Sequence, residues 1–183
     1  MDEATLIKRL SDERTRADAF TELVKTYQEP LYNHIRRMVL IHDDADDVLQ
    51  NTFIKAWTGL DNFRGEAKLS TWLYRIAVNE SLNFLERHRK KTTSIDSEEP
   101  SLGMEIANTL QSDPYFDGDE VERQLQQAIA LLPDKQRAVF NMKYFQEMKY
   151  EEMSAVMGTS VGALKASYHH AVKKISDFFK LND

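Results

Sequence analysis

Apolar residues recur every three or four positions along almost the whole chain, and one stretch breaks the pattern. Phe20, Leu23, Val24, Tyr27, Leu31, Ile35 and Met38 keep this spacing, which is the period of a helix with one buried face. Ala45, Val48, Leu49, Thr52, Phe53, Ala56, Trp57 and Leu60 repeat it, as do Leu73, Ile76, Ala77 and Phe84. Beyond the break, Val121, Leu125, Ile129 and Leu132, then Val139, Met142 and Phe145, then Val161, Leu164, Tyr168, Ala171, Ile175 and Phe178 do the same. The two-residue alternation of strands is almost missing. The break, Thr92 to Glu120, holds Pro100, Pro114, Gly103 and Gly118 and no sustained apolar period, which marks a connecting segment. The expectation is an all-α protein of two small helical domains, 1–91 and 119–183, joined by an acidic linker over 92–118.

Local signals set the element ends. Pro30 is expected to kink or split its helix. Asp43 reads as an N-cap, and Ser70 as the cap of a long helix running to about Lys91. Asp61 to Leu69, with Gly65, reads as a loop. Pro133 suits the first turn of a helix.

The net charge of −6 looks wrong for a nucleic-acid partner until it is divided along the chain. Residues 1–91 carry 15 basic and 15 acidic side chains, 92–120 carry 8 acids and no base, and 121–183 carry 9 bases and 7 acids. The negative charge therefore sits in the linker, and both flanking domains are free to form basic faces. With no cysteine there is no disulfide and no thiolate metal site. The acidic start Met1-Asp2-Glu3 is unlike a signal peptide. The longest purely apolar run, Ala128 to Leu132, is far too short to span a bilayer. A cytoplasmic protein without membrane insertion is expected.

Two constellations point to DNA. A short helix over about Tyr150 to Met157, the turn Gly158-Thr159-Ser160 and a second amphipathic helix make a helix-turn-helix. Gly158 suits a left-handed helix end, Ser160 an N-cap, and small Ser154 a close approach of the two helices. The outer face of the last helix carries Gly162, Ala163, Lys165, Ala166, Ser167, His169, His170, Lys173 and Lys174. Such a face fits a major groove, with lysines meeting phosphates. In the first domain Arg75, Asn79, Asn83 and Arg87 recur every fourth residue and line one stripe. Phe63, Trp72 and Tyr74 lie nearby with rings suited to stacking on unpaired bases, and Arg87-His88-Arg89-Lys90-Lys91 is strongly basic. Read alone, the stripe is more often a solvated helix face, and the last helix is also consistent with a plain helical hairpin.

Trp72-Leu73-Tyr74-Arg75-Ile76-Ala77-Val78-Asn79, with Asn83 four residues on, resembles the promoter-recognition helix of bacterial sigma factors of the extracytoplasmic-function class. The run from Asp43 to Trp57 resembles that family's segment for docking on core RNA polymerase. Leu131-Leu132-Pro133 with Gln136-Arg137, then Tyr150-Glu151-Glu152-Met153 and Ser160-Val161-Gly162-Ala163-Leu164-Lys165, resemble its C-terminal domain. The resemblance implies an alternative sigma factor, not an enzyme and with no cofactor or metal, whose partners are core RNA polymerase, promoter DNA and an anti-sigma factor. It implies docking through Asp47, Gln50, Phe53 and Trp57. It implies reading and melting of the −10 element by Asn62, Phe63, Arg64, Trp72, Arg75, Asn79, Asn83 and Arg87. Ser160, Lys165, Ser167, His169, His170 and Lys173 would meet the −35 element, and the linker would thread through the polymerase. Asn51 stands where the family often has an acid, Ala166 where it often has Ser, and His170 and Val172 where arginines are frequent.

Two other readings compete. A stand-alone helix-turn-helix regulator would bind duplex DNA without polymerase. His42-Asp43, with His34 upstream, is similar to the His-Asp pair of metal-dependent phosphohydrolases, a chemistry that needs further ligands at set places. His169 and His170 are adjacent and so point about 100° apart on a helix, a poor chelate.

Overall fold

Each expected apolar period becomes a helix, and the connections between helices are short. The computed structural model describes residues 2–93 and 118–181. Of the expected linker, 94–117 lie outside the described residues. The N-terminal half comprises α1 (Glu3–Ser11), α2 (Arg16–Val39), α3 (His42–Gly59), a single 3-10 turn (Leu60–Asn62) and α4 (Leu69–Thr93). The C-terminal half comprises α5 (Glu120–Ala130), α6 (Asp134–Tyr144), α7 (Tyr150–Met157) and α8 (Val161–Leu181). No strand occurs among the described residues.

Three local expectations change. Of the two outcomes expected at Pro30, a split is excluded: α2 is one helix through it. Proline removes a backbone bond and costs roughly 3 kcal/mol inside a helix. Ala19 and Leu23 before it, and Leu31, Ile35 and Met38 after it, are all fully buried. Each buried aliphatic side chain contributes about 1.5–3 kcal/mol, so packing on both sides holds the helix together. Asp43 is not the cap of α3, because the helix already begins at His42 with Ile41 at its cap position; Asp43 and Asp44 lie in the first turn, where acids favour the positive helix end. Ser70 is likewise inside α4, which starts at Leu69. The Leu69 amide instead donates to the Glu3 carboxylate of α1.

Helices α2, α3 and α4 pack around Leu23, Leu31, Ile35, Ala45, Val48, Ala56, Leu73 and Ala77. Leu40 links α2 to α3 at φ 76°, a sparsely populated conformation that costs on the order of 1–3 kcal/mol. It is held there by burial and by its N–H bond to the Arg36 carbonyl at 2.9 Å. The C-terminal helices have a smaller cluster of their own: Ala128, Ile129, Leu132, Phe140, Ala171 and Ile175.

The two halves do not stand apart. Helix α7 packs on α4, and α6 packs on α2 and α4. Ala138, Val139, Met142, Met148, Met153, Val156 and Leu164 therefore join the same buried cluster as the N-terminal core. At the seam Arg137 is 2% exposed. Its guanidinium donates to the Met38 carbonyl of α2 at 2.5 Å and to the Ala130 and Leu132 carbonyls at the end of α5 at 2.7 and 3.3 Å. Asn141 Nδ2 contacts Met38 Sδ at 3.6 Å. Arg37 lies over the Phe145 ring at 4.0 Å.

One turn before Met38 on α2, His34 is completely buried, edge-on to Tyr74. Burial, reinforced by the Arg37 charge, lowers its pKa from 6.5 to about 3. The folded value lies below the unfolded one, so the unfolded chain takes up the proton first. The stability contribution is complete above pH 6.5 and is lost as pH falls toward 3. At about 1.4 kcal/mol per pH unit, this group should remove roughly 2–3 kcal/mol between pH 7 and 4.5. Urea unfolding at stepped pH checks this: His34→Leu should flatten that acid limb by a comparable amount, and equal slopes in the two proteins would remove His34 as its source.

Candidate nucleic-acid interface

Three exposed faces carry the residues singled out by the sequence. The first is on α3. Asp47 and Gln50 are exposed, and Trp57 is 43% exposed while resting edge-on against Phe20 at 5.1 Å. Phe53 turns inward, half-buried and edge-on to Phe20 at 6.3 Å. Ile54, which sequence reasoning passed over, is 60% exposed. With Asp47, Gln50 and Trp57 it completes a stripe at three- and four-residue spacing. Its missing signal is that an exposed isoleucine breaks the apolar period by one position and reads as noise. Asp44 beside this face is partly buried, and that burial raises its carboxyl above the usual range.

The second face is the loop after the 3-10 turn together with the outer side of α4. Asn62 and Arg64 are exposed. Phe63 tilts against Trp72, ring centroids 4.8 Å apart. Trp72 itself packs over Gly59, where an added Cβ would lie 3.4 Å from the indole. Arg75, Asn79, Asn83 and Arg87 are all exposed and continue along α4 from Trp72 on one side of the helix. The loop is tied at both ends. Arg16 pairs with Asp61 at 3.0 Å, and Glu3 holds the Leu69 amide. Tyr74, by contrast, is buried against His34 and is not available for stacking on a base.

The third face is on α8. Gly158 ends α7 at φ 64°, and its N–H bonds to the Ser154 carbonyl at 2.8 Å. Ser154 Oγ donates across the turn to the Thr159 carbonyl at 2.7 Å, so this small residue fastens the turn as well as allowing close packing. Ser160 Oγ accepts from the Ala163 amide at 3.2 Å and caps α8. Leu164, Ala171 and Ile175 are buried, which turns Lys165, His169, His170 and Lys173 outward; Ser167 is half-buried. The Lys165 ammonium lies 5.6 Å from the Tyr150 ring. No acid occupies the first turn of α8, so its positive end faces outward unopposed.

The histidine pairs acquire other roles. His34 is sealed in the core, and His42 Nδ1 is 2.6 Å from the Tyr32 hydroxyl, so the structure does not bring the two together in one site. Among the described residues no group of three or more His, Asp or Glu side chains is placed to hold a metal. No described helix is long and apolar enough to cross a membrane.

Residues 23–91 match the pattern of Sigma-70 region 2, and residues 122–175 match that of Sigma-70, region 4. The chain belongs to the sigma-70 family. The extracytoplasmic-function RNA polymerase sigma factor SigW of Bacillus subtilis is 32% identical over 83% of this chain and 84% of its own length. The sigma-H factor of Pseudomonas aeruginosa is 34% identical over 86% and 84%. The fold is shared with CnrH solved in complex with the cytosolic domain of CnrY, at TM-score 0.71 and 22% identity over 99% of each chain. It is shared as well with the Bartonella quintana sigma factor RpoE solved with the anti-sigma factor NepR, at TM-score 0.68 and 20% identity over 90% of this chain and 98% of that one. The sigma factor described here is an alternative one that directs promoter-specific transcription. The loop–α4 face lies in region 2 and the α8 face in region 4.

The helix-turn-helix rests on two local devices that can be separated from its DNA face. Gly158→Ala meets no atom within 4 Å, so its cost is the left-handed backbone alone, about 1–2 kcal/mol. Ser160→Ala should cost about 1 kcal/mol through the lost cap. Denaturant unfolding should show both losses with unchanged helical content, and an unaffected Gly158→Ala protein would contradict the strained turn.

Proposed function

We propose that this sigma factor docks on core RNA polymerase through the α3 stripe of Asp47, Gln50 and Trp57, joined by Ile54 and supported from beneath by Phe53. Region 2, placed at 1–91, then opens and reads the −10 element. Asn62, Phe63 and Arg64 form the loop that receives an unpaired base, with Trp72 as the stacking platform below it. Arg75, Asn79, Asn83 and Arg87 contact the melted strand, the amides reading base edges and the guanidinium groups meeting phosphates. Region 4, placed at 119–183, lays α8 in the major groove of the −35 element through Lys165, Ser167, His169, His170 and Lys173. Ser160 acts mainly by capping that helix. The linker, 92–118, passes through the polymerase, where its acids suit a basic channel.

The observation that carries this reading is the line from the half-buried rings of Phe63 and Trp72 to the exposed Arg75, Asn79, Asn83 and Arg87. It joins stacking rings, amides and fixed positive charge, the three chemistries a melted strand presents. The work is recruitment and strand separation, with no covalent step. An anti-sigma factor is a further partner, supported by the solved Bartonella quintana RpoE, which was captured with the anti-sigma factor NepR. A cytoplasmic location follows from these partners.

Transcription by bacterial core polymerase on fragments of the source genome tests the assignment. New discrete transcripts should depend on this chain; tight sequence-specific duplex binding without polymerase, and no transcripts with it, would favour a stand-alone regulator. The double variant Asn79→Ala with Asn83→Ala should reduce open-complex formation at least tenfold while leaving core binding within about twofold, since each lost base contact is worth roughly 1–3 kcal/mol. Lys165→Ala should lower promoter affinity and reduce the salt slope by about 1 if the lysine meets one phosphate. An unchanged slope would remove it from the backbone contacts.

A further inference from the structure

We propose that Glu3 and Arg16 are positioning residues for −10 recognition: through them α1 holds both ends of the loop over residues 62–68 and presets its shape for an unpaired base. The inference rests on the assignment of the −10 face above.

The loop has little packing of its own. Asn62 and residues 64–68 are exposed, between Leu60 and Leu69, which are buried. Gly65 adopts φ 71°, and an added Cβ there meets no atom within 4 Å. The Phe63 ring leans inward on Trp72. A segment with so few buried side chains belongs to the low-stability end of a fold, so its shape depends on what fixes its ends.

Both ends are fixed from one helix. At the exit, α4 has no acid in its first turn, and its first amides have no partner within the helix. The Glu3 carboxylate, at the start of α1, accepts from the Leu69 amide and brings negative charge to the positive end of α4. At the entry, the Arg16 guanidinium bridges two groups. Its Nε donates to the Leu10 carbonyl in the last turn of α1 at 2.9 Å, and its Nη2 meets the Asp61 carboxylate at 3.0 Å. Helix α1 is in turn fastened to α2: Thr15 Oγ1 donates to the Arg9 carbonyl at 2.7 Å, and Arg9 pairs with Glu22 at 2.9 Å. A rigid helix thus sets the spacing between the two ends of a loop distant from it in sequence. Lys68 also pairs with Glu152 of α7 at 3.6 Å, but its side chain is 66% exposed and that tie is weak.

Taking a base out of its stack costs energy, and a loop that had to order itself at the same moment would add to the cost. A loop already in shape spends its contacts on telling one base from another. Glu3 and Arg16 act through the loop and do not touch the DNA.

The test uses the full-length chain with core polymerase on two promoters. One is defined by a mapped transcript start. The other carries the single −10 base change that most lowers open-complex formation by the wild-type protein. Glu3 is exposed, so Glu3→Ala leaves the core intact. In the free protein, amides 63–69 should exchange about threefold faster or more in this variant, the size of one lost helix cap. The ratio of open-complex formation on the two promoters should fall by a similar factor, with core binding within about twofold of wild type. Glu3→Gln, which keeps an acceptor oxygen, should restore most of both. Asp61→Ala, which removes the entry anchor without touching α1, should lower the ratio in the same direction. Unchanged loop exchange in Glu3→Ala would overturn the proposal. So would an equal loss on both promoters, which is what a merely structural role produces, or an unchanged ratio in Asp61→Ala. Asn62→Ala separates the two readings. If it leaves the ratio unchanged, the −10 assignment fails and the proposal with it; if it lowers the ratio while Glu3→Ala does not, the positioning role alone fails.

Discussion

The position of Arg137 depends on one constraint: the carbonyls that end a helix have no partner within it. Two helices, α2 and α5, finish side by side, and each end carries partial negative charge. A single guanidinium, 2% exposed, satisfies the Met38, Ala130 and Leu132 carbonyls together. Burial lowers its pKa from the ordinary arginine value, and the nearby Asp134 carboxylate acts in the opposite direction. A buried charge without such partners would cost several kcal/mol; here three carbonyl dipoles replace water. Arginine fits because its fork of donors reaches several acceptors at once, which a lysine ammonium does not do in the same plane. The turn from α5 to α6, the seat of α6 on α2 and the joining of the two cores all meet at this group.

The same seam explains how a chain with a domain break in its sequence has a shared interior. Region 4 has too small a cluster of its own to bury α6 and α7 completely. Their inner residues, Val139, Met142, Met153 and Val156, are covered by α2 and α4. The helix-turn-helix is therefore built twice over, by its own αL turn and cap and by its packing on region 2. Leu164, Ala171 and Ile175 orient its outward face, Leu164 in the shared cluster and Ala171 and Ile175 in the C-terminal one.

Much of the candidate nucleic-acid interface was legible because it follows from helical period and turn chemistry. Gly158, Ser160 and the spacing of Leu164, Tyr168, Ala171 and Ile175 located α7, the turn and α8 before any coordinates. The Arg75–Asn79–Asn83–Arg87 stripe emerged exposed as its four-residue spacing required. What failed did so for identifiable reasons. Pro30 does not split its helix, because residues on both sides of it are buried. Asp43 and Ser70 have good capping chemistry but sit one or two positions inside their helices. The actual polar partner of the α4 amide end, Glu3, is 66 residues away in sequence. Tyr74 looked like a stacking ring and is instead the lid over His34.

Sequence alone determined the helices, their buried faces, the placement of negative charge between two neutral or basic halves, and the types of side chain turned toward solvent. Those follow from local periodicity and from the chemistry of turns, which act over a few residues. Tertiary structure alone decided that Arg137 and His34 are interior groups, that Ile54 is exposed in line with Asp47, Gln50 and Trp57, and that region 4 rests on region 2. Such outcomes depend on which apolar faces meet across long separations. A Met or Val that packs within its own domain is indistinguishable, along the chain, from one that packs against another.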